Sequence, residues 1–282
     1  INVTITTESG ASTFSANAVG GGAILVERDA AAQIDNSVIA GNLAATPTGF
    51  DALSGGGLSN FGSLTITASE ITANLAEASG GGLFNGLGAT LNVDMSTISG
   101  NSVTAGTPGT GDYAGGGLAN DGTAEITEST ISNNLVSGRT GSGGGVANGS
   151  NGTLTLTDVD VLDNTVAGNG LIAGGGIANF GSSEITGGEV ARNFANDLSG
   201  DGGDPGASGY GGGRFNIAEA TVTGTVFSQN RSTEIGGGGA NVTQFDFVPG
   251  GPFPVAGFAF QRAGSLSTDV EIGTAAELDI DC

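Results

Sequence analysis

The sequence GGGLAN at residues 115–120 is followed by TAEITESTIS at residues 123–132 and then by Asn134. In the second stretch apolar and polar residues alternate, which is the periodicity of a β-strand and not of a helix. Thr, Ile and Val favour strands, whereas Gly and Asn favour the tight corners between them. This unit therefore predicts short strands that are joined by sharp turns.

The same unit recurs along most of the chain. Gly-Gly-Gly tracts begin at residues 55, 80, 115, 143, 174, 211 and 236, with spacings of 25, 35, 28, 31, 37 and 25 residues, and an Asn closes each copy. A looser copy, GGGAILV, occupies residues 20–26. A second anchor, also an Asn, recurs eight times, each time with an apolar residue three positions earlier. Such a repeat predicts a solenoid, in which each unit packs against its neighbours.

We predict an all-β, right-handed, single-stranded parallel β-helix (a β-solenoid) of about nine coils with three strands each. Residues 1–244 are predicted to form the repeat domain, and the irregular, aromatic and Pro-rich residues 245–282 a C-terminal cap or docking segment. The recurrent Asn residues would stack in two hydrogen-bonded ladders at corners, where Asn tolerates the left-handed conformation. The predicted ladder residues are Asn42, Asn74, Asn101, Asn134, Asn164, Asn193 and Asn230, and Asn60, Asn85, Asn120, Asn148, Asn179 and Asn216.

The pattern GGGLxN, LTIT at residues 64–67 and STISGN at residues 96–101 resembles the Gly-rich right-handed β-helix repeats of bacterial secreted and surface proteins. It is distantly similar to the repeats of chlamydial polymorphic outer-membrane proteins. The resemblance covers roughly residues 10–245 and implies an exported protein at the cell surface or outside the cell. It implies no single activity, because such repeats serve adhesins, sheath or fibre proteins and polysaccharide-active enzymes alike.

Composition argues against several classes of function. Of the 282 residues 56 are Gly, and 28 acidic against six basic residues give a formal net charge of −22. So few cations argue against binding of nucleic acid and against docking on anionic membranes. With no His and one Cys, the chain has no Ser-His-Asp or Cys-His catalysis, no His-ligated metal and no internal disulfide. No apolar run approaches the length of a membrane-spanning helix.

The segments between each second-anchor Asn and the next Gly tract vary in length. The long ones would cluster along one edge of the solenoid, where they would build a binding surface or mark a corner that merely tolerates insertions. In the longest, Asp197, Asp201 and Asp204 are weak candidate ligands for Ca²⁺, with a solvated loop as the alternative. These variable segments are residues 43–54, 75–79, 102–114, 135–142, 165–173, 194–210 and 231–235.

Polysaccharide lyases with a β-helix fold use Ca²⁺ and an Arg or Lys base, and the corresponding hydrolases use clustered Asp residues. Arg192 and Arg231 flank second-anchor Asn residues, but no pair of acidic residues carries the motif of an acid/base couple. We therefore expect no catalytic residue and no cofactor other than Ca²⁺. The acidic residues near predicted strands are Glu70, Asp94, Glu125, Asp158, Asp160, Glu184 and Glu189.

The Gly tracts could form tight corners inside the coil, or a flat stripe along which neighbouring rods touch. The two ends of a solenoid expose unpaired strand edges, which could join head to tail into a fibre or be closed by a cap. Residues 1–9 resemble a strand, and the C-terminal segment is rich in Phe. The candidate self-association residues are Ile1, Val3, Ile5, Phe245, Phe247, Phe253, Phe258 and Phe260.

We therefore predict a secreted or cell-surface structural solenoid, adhesive or matrix-forming, that self-assembles head to tail into a fibre. The alternative is a carbohydrate-active β-helix, either a lyase or hydrolase or a glycan-binding module, and a third reading is a fragment of a larger secreted protein. The predicted partners are copies of the chain and surface glycans, not nucleic acid or a membrane. The sequence starts without a signal peptide, so we expect a mature or excised chain.

Overall fold

In the computed structural model the described residues form strands and turns but no helix. The strands stack in parallel, coil upon coil, which confirms the predicted all-β solenoid. The described residues are 2–5, 12–14, 17–18, 22–44, 54–105, 114–138, 141–198, 208–233, 237–242 and 258–260.

Each coil passes through four sheets, which we call A, B, C and D. Sheet A contains Asn2–Ile5, Ala31–Asp35, Ser63–Thr67, Thr90–Asp94, Thr123–Thr127, Thr153–Thr157, Ser182–Thr186 and Ala220–Thr223. Sheet B contains Ser12–Phe14, Ser37–Ala40, Glu70–Thr72, Thr97–Ser99, Thr130–Ser132, Asp160–Leu162, Glu189–Ala191 and Val226–Ser228.

From Asn42 onward sheet C follows each second-anchor Asn, whereas its first strand begins at Asn17 itself, and sheet D follows each Gly tract. Sheet C contains Asn17–Ala18, Leu43–Ala44, Leu75–Ala76, Ser102–Ala105, Leu135–Gly138, Thr165–Gly168, Phe194–Asp197 and Arg231–Ser232. Sheet D contains Ile24–Val26, Leu58–Asn60, Leu83–Asn85, Leu118–Asn120, Val146–Asn148, Ile177–Asn179, Arg214–Asn216 and Gly239–Val242, with Phe258–Phe260 paired antiparallel to the last. A small sheet E contains Gly141–Ser142, Leu171–Ala173 and Ser208–Tyr210.

The prediction of about nine coils with three strands each was wrong in both numbers. Sheets A, B and C each contain eight strands, so the described residues form eight coils. Sheet C is the unpredicted fourth strand of each coil. Its strands are as short as the two residues Leu75–Ala76, and they occupy the beginnings of the segments that the repeat pattern treats as variable linkers.

The fourth strand divides the interior into two apolar cores. The main core is built from buried residues of sheets A, B and D, such as Leu118, Ile126 and Ile131 of one coil. The second core is built from sheet C, where Val136 and Val166 pack with Ile172 of sheet E and with buried residues of neighbouring coils. Burial of these aliphatic columns is the dominant favourable term in the stability of the solenoid.

The Gly tracts run between the two cores. A Cβ added to Gly57 would lie 3.0 Å from Nδ2 of Asn74 and 2.8 Å from the carbonyl oxygen of Gly82, and a Cβ added to Gly56 would lie 2.6 Å from the carbonyl carbon of Leu75. The tracts at residues 55–57, 80–82, 115–117, 143–145, 174–176 and 211–213 are buried. The alternative that these glycines form an exposed stripe between neighbouring rods was therefore wrong, since glycine is needed here for close packing of backbone on backbone.

The corners that lead from sheet A into sheet B and from sheet B into sheet C depend on left-handed residues, but these are not the ladder asparagines. Ala73, with a φ of 54°, directly precedes Asn74, and Ala68, with a φ of 48°, directly precedes Ser69. The expectation that the ladder Asn residues themselves adopt this conformation was wrong. The preceding residue makes the turn, which leaves the backbone N–H and the amide of the Asn free to bond along the stack.

Candidate functional site

The second-anchor asparagines lie where sheet B leads into sheet C, and they form a continuous buried ladder. Nδ2 and the backbone N–H of Asn74 both donate to Oδ1 of Asn101 at 3.0 Å, and the same Nδ2 donates to the carbonyl oxygen of Ile39 at 3.0 Å. From Asn42 to Asn230, the distance between each Nδ2 and the Oδ1 of the next coil is 2.8–3.0 Å. The members are Asn42, Asn74, Asn101, Asn134, Asn164, Asn193 and Asn230.

A second ladder lies where sheet D leads into sheet A. Here each Nδ2 donates to the Oδ1 of the next coil at 2.6–2.8 Å. The members are Asn60, Asn85, Asn120, Asn148, Asn179 and Asn216, and all are buried. Separating two of these coils would leave buried amides without partners, which is costly in free energy. Each ladder therefore holds its successive coils together.

A third, shorter ladder of serines lies where sheet A leads into sheet B, and the sequence analysis missed it. The backbone N–H groups of Ser37, Ser69 and Ser96 donate to the Oγ of the next serine at 3.1, 3.0 and 3.0 Å. Ser129 ends the run, because Val159 takes the position in the following coil. The available signal was a Ser five residues before four consecutive second-anchor asparagines.

The variable segments form an ordered edge of the solenoid in their described parts. Each begins with sheet C, and the segments 135–142, 165–173 and 194–210 also supply the strands of sheet E. On the outer side of this edge, the guanidinium of Arg231 lies 5.0 Å from the ring centre of Phe194. This contact is a cation–π interaction that links two consecutive coils.

Of the candidate Ca²⁺ ligands, Asp197 ends the sheet C strand Phe194–Asp197, and its backbone N–H donates to Oγ1 of Thr233 at 3.0 Å. Asp201 and Asp204 lie outside the described residues. In the part of the chain that the structure describes, no group of three or more His, Cys, Asp and Glu residues could hold a metal ion. The Ca²⁺ site therefore stays a prediction.

The side chains considered for lyase or hydrolase chemistry lie on outer strand faces and corners. Arg192 forms an exposed bidentate pair with Asp163, with 2.9 Å from Nε to Oδ1 and 3.0 Å from an Nη to Oδ2. The hydrogen bond and charge of Asp163 raise the pKa of Arg192. Among the carboxylates, Oε1 of Glu189 accepts from Ser228 at 2.7 Å. These contacts join neighbouring coils. They do not bear on whether the chain is a lyase or a hydrolase, which stays a prediction.

The candidate self-association residues are described in part. Val3 and Ile5 lie in Asn2–Ile5, at the edge of sheet A, where the strand pairs in parallel with Ala31–Asp35. Phe258 and Phe260 lie in the strand that pairs antiparallel with residues 240–242. Ile1, Phe245, Phe247 and Phe253 fall outside the described residues.

A buried cation interrupts the aliphatic column of sheet D. Arg214 pairs in register with Ile177 and is only 4% exposed. One of its Nη atoms lies 3.2 Å from Oδ1 of Asn216 and 3.4 Å from Oγ of Ser183. Its Nε has no hydrogen-bond partner among the described residues, and burial lowers the pKa of Arg214 to about 10. The sequence showed this position only as a departure from the repeat.

The outer face of sheet A is an array of polar side chains in strict register. Thr65, Asn92, Glu125, Thr155 and Glu184 are paired from strand to strand. They alternate with buried residues of the main core, so they point away from it. We call the set Gln33, Thr65, Asn92, Glu125, Thr155, Glu184 and Thr221 the central row, and an exposed hydroxyl row beside it contains Ser63, Thr90, Thr123, Thr153 and Ser182.

Comparison with known proteins gives no relative for this chain: no family model, no curated protein and no solved structure matches it. The described residues contain no helix that is long and apolar enough to cross a membrane. Inferences about function therefore depend on the geometry of the chain itself.

Proposed function

We propose that this chain is a structural rod of the cell surface or the extracellular space, with an adhesive or matrix-forming role. The observation that supports the proposal is the pair of Asn ladders, because they bond every coil between Asn42 and Asn230 to its neighbours through buried amides. Such bonds resist sliding and bending of one coil on the next. A stack of eight coils would be roughly 38 Å long at the usual spacing between strands.

The charge of the chain suits exposure to a saline medium. The net charge of −22 keeps separate rods soluble by mutual repulsion, and salt at physiological strength screens that repulsion over roughly 8 Å. Contacts between rods would then form at short range only. Backbone pairing at a strand edge is such a contact, because it needs no complementary charge.

Self-assembly through the edge of sheet A is the finer part of the proposal. The strand Asn2–Ile5 has one described partner, Ala31–Asp35, and its other side is free for pairing among the described residues. A second copy that supplies a parallel strand there would extend the stack along its axis. This geometry gives a head-to-tail fibre, because the two surfaces in contact differ.

Electron microscopy of the purified chain at micromolar concentration, with and without Ca²⁺, tests the proposal. We expect stiff rods that lengthen in steps as the concentration rises. Thr4→Pro removes a backbone donor from the edge strand and should stop this lengthening, whereas Thr4→Ala keeps the backbone N–H and should lengthen like the parent. Short rods of constant length at every concentration would disprove self-assembly, and flexible chains would disprove the structural role.

Glycan binding is the second candidate function. The polar rows of sheet A favour it, because they present hydrogen-bonding groups at a fixed repeat along the rod. Surface labelling of intact cells that produce the chain, compared with labelling after lysis, tests the location that both functions require.

A further inference from the structure

We infer that the outer face of sheet A binds a neutral, extended polysaccharide that lies along the rod axis, with one sugar residue over each coil. The inference rests on the second candidate function, glycan binding, whose ligand class and contact surface it names, and it does not depend on self-assembly. It assigns the central row as the surface that contacts the glycan.

The repeat of the central row matches the repeat of such a polymer. Its seven members are paired in register, from Gln33 to Thr221, with one member in each strand. Neighbouring strands are separated by roughly 4.8 Å. That spacing is close to the length of one sugar residue in an extended β-1,4-linked chain. Because successive residues of such a chain face opposite ways, equivalent contacts recur at every second coil.

The chemistry of the row suits sugar hydroxyl groups. Glu125 and Glu184 are exposed, and the structure shows no hydrogen bond or ion pair of either carboxylate with another described residue. An ionised carboxylate accepts hydrogen bonds at two oxygens, and bonds to a charged acceptor are stronger than those between neutral groups. Thr155 lies between them in the row, Asn92 on the other side of Glu125 adds a donor and an acceptor, and the exposed hydroxyl row adds further groups beside the chain.

The surface is also stiff before a ligand binds. Thr65 and Thr155 are β-branched residues in a paired strand, so their side chains have few rotamers to lose. The backbone beneath them is fixed by the columns of the main core and by the Asn ladder where sheet D leads into sheet A, and up to Ser129 also by the serine ladder at the other end of the strands. A rigid surface loses little conformational entropy on binding, which favours an extended and equally rigid ligand over a flexible one.

Charge selects the class of polysaccharide. The chain carries a net charge of −22, and the central and hydroxyl rows contain carboxylates but no Arg. Acidic polysaccharides would be repelled from this face, because like charges brought together disfavour association. The face therefore suits neutral glycans.

The other faces of the solenoid are less suited to this ligand. Most outer positions of sheet D are covered, since Ser59 and Ala119 are each only 2% exposed, and the same row begins with the apolar Leu25, which is 49% exposed. Exposed apolar side chains interrupt the polar surface of sheet B at Val226 and of sheet C at Leu135, which are 45% and 37% exposed. Sheet A is the face whose described outer positions, from Ser63 to Thr223, are all polar.

Affinity electrophoresis in native gels tests the inference with the whole chain. Hydroxyethyl cellulose is a neutral β-1,4-glucan, dextran a flexible neutral α-glucan, and polygalacturonate an acidic extended glycan. We expect retardation by hydroxyethyl cellulose and not by the other two. The double variant Glu125→Ala/Glu184→Ala should raise the dissociation constant for hydroxyethyl cellulose by at least about tenfold. Glu70→Ala, which removes an exposed carboxylate from sheet B, is the matched control and should bind like the parent.

Calorimetry with cello-oligosaccharides tests the arrangement along the axis. Affinity should rise with each sugar residue up to cellohexaose, because the central row extends over seven strands. A plateau at two or three residues would point to a local pocket and overturn the inference. Absence of retardation by hydroxyethyl cellulose, or equal loss in Glu70→Ala and in the double variant, would overturn it as well. Neither outcome depends on whether the rods assemble, so the two proposals fail separately.

Discussion

The backbone N–H and the side-chain Nδ2 of Asn74 converge on one acceptor, Oδ1 of Asn101, at 3.0 Å each. One side-chain oxygen thus satisfies two donors from the preceding coil. The Nδ2 of Asn101 in turn donates to the carbonyl oxygen of Ile71 at 2.9 Å and to Oδ1 of Asn134 at 3.0 Å. A single asparagine therefore holds three consecutive coils together in a buried setting.

Asn101→Ala should lower the free energy of unfolding by about 3 kcal/mol, because it removes the side-chain acceptor of the buried N–H of Asn74 and the side-chain donor to the carbonyl of Ile71. Denaturation by urea, followed by circular dichroism, measures the change. Asn92→Ala is the control, since Asn92 is an exposed residue of sheet A in the same coil and should change stability by less than about 0.5 kcal/mol. Equal losses in the two variants would contradict a structural role for the ladder.

Gly116→Ala should lower stability by about 3 kcal/mol or prevent folding, because the new Cβ would overlap the carbonyl oxygen of Gly144 and lie 2.9 Å from the backbone nitrogen of Leu135. The comparison is Gly88→Ala. Gly88 has a φ of 77° with no atom within 4 Å of the added Cβ, so this variant carries only the conformational cost of about 1–2 kcal/mol. Thermal unfolding of both variants measures the difference, and a smaller loss for Gly116→Ala would show that the two cores can separate at the Gly tract.

Ala73→Gly should raise the free energy of unfolding by roughly 0.5–1 kcal/mol, because the left-handed conformation at a φ of 54° is strained for alanine and not for glycine. Ala76→Gly, three residues later in the second core, should change stability in the opposite direction, since it removes a buried methyl group. Urea midpoints of the two variants decide the matter. A loss of stability in Ala73→Gly would mean that the flexibility of the unfolded chain outweighs the strain at the corner.

Arg214→Leu should raise stability by about 2 kcal/mol, because it replaces a buried, incompletely bonded cation with the aliphatic residue that other coils hold in this column. The sign of the pH dependence follows from the pKa of Arg214, which burial lowers to about 10, well below the ordinary value of a guanidinium. The folded chain therefore binds this proton less tightly than the unfolded chain, and the cost is complete below about pH 10.

The advantage of Arg214→Leu should accordingly be constant between pH 6 and pH 9, and it should shrink above about pH 10. Guanidinium midpoints across this range measure it. Arg28→Leu, at an exposed position, is the control and should have little effect at any pH. A destabilised Arg214→Leu would contradict a net cost of burying the guanidinium at this position.

The fold class was predictable because its cause is repeated in the sequence. An apolar residue three positions before each second-anchor Asn marks sheet B, and the tracts that end at Asn60, Asn85 or Asn120 mark sheet D. Because the copies repeat the same pattern, together they define where the strands lie in each coil. A single departure, such as Gly239 in place of an aliphatic residue, does not obscure the pattern.

The second core was not predictable, for a physical reason. A strand as short as Leu75–Ala76 is too brief to show alternation, and its inward residue is a small Ala where later coils have Val136 or Val166. The left-handed positions were equally hidden, since residues as different as Ala68, Met95 and Glu128 occupy the same corner. There the backbone path set by the flanking sheets overrides the preference of the residue. The polar residues of sheet A are evident in the sequence. Their alignment from coil to coil became evident only from the pairing of the strands.

The asparagine ladders also give the molecule a direction. In both ladders every Nδ2 points to the coil that follows, from Asn42 to Asn230 and from Asn60 to Asn216, so the amide dipoles of all coils add. The sum is a vector along the axis, similar in origin to the macrodipole of an α-helix. Where two such molecules meet end to end, parallel vectors place donors against acceptors, whereas opposed vectors place donor against donor or acceptor against acceptor. The polarity of any filament that continues the ladders is therefore fixed by the orientation of a side-chain amide.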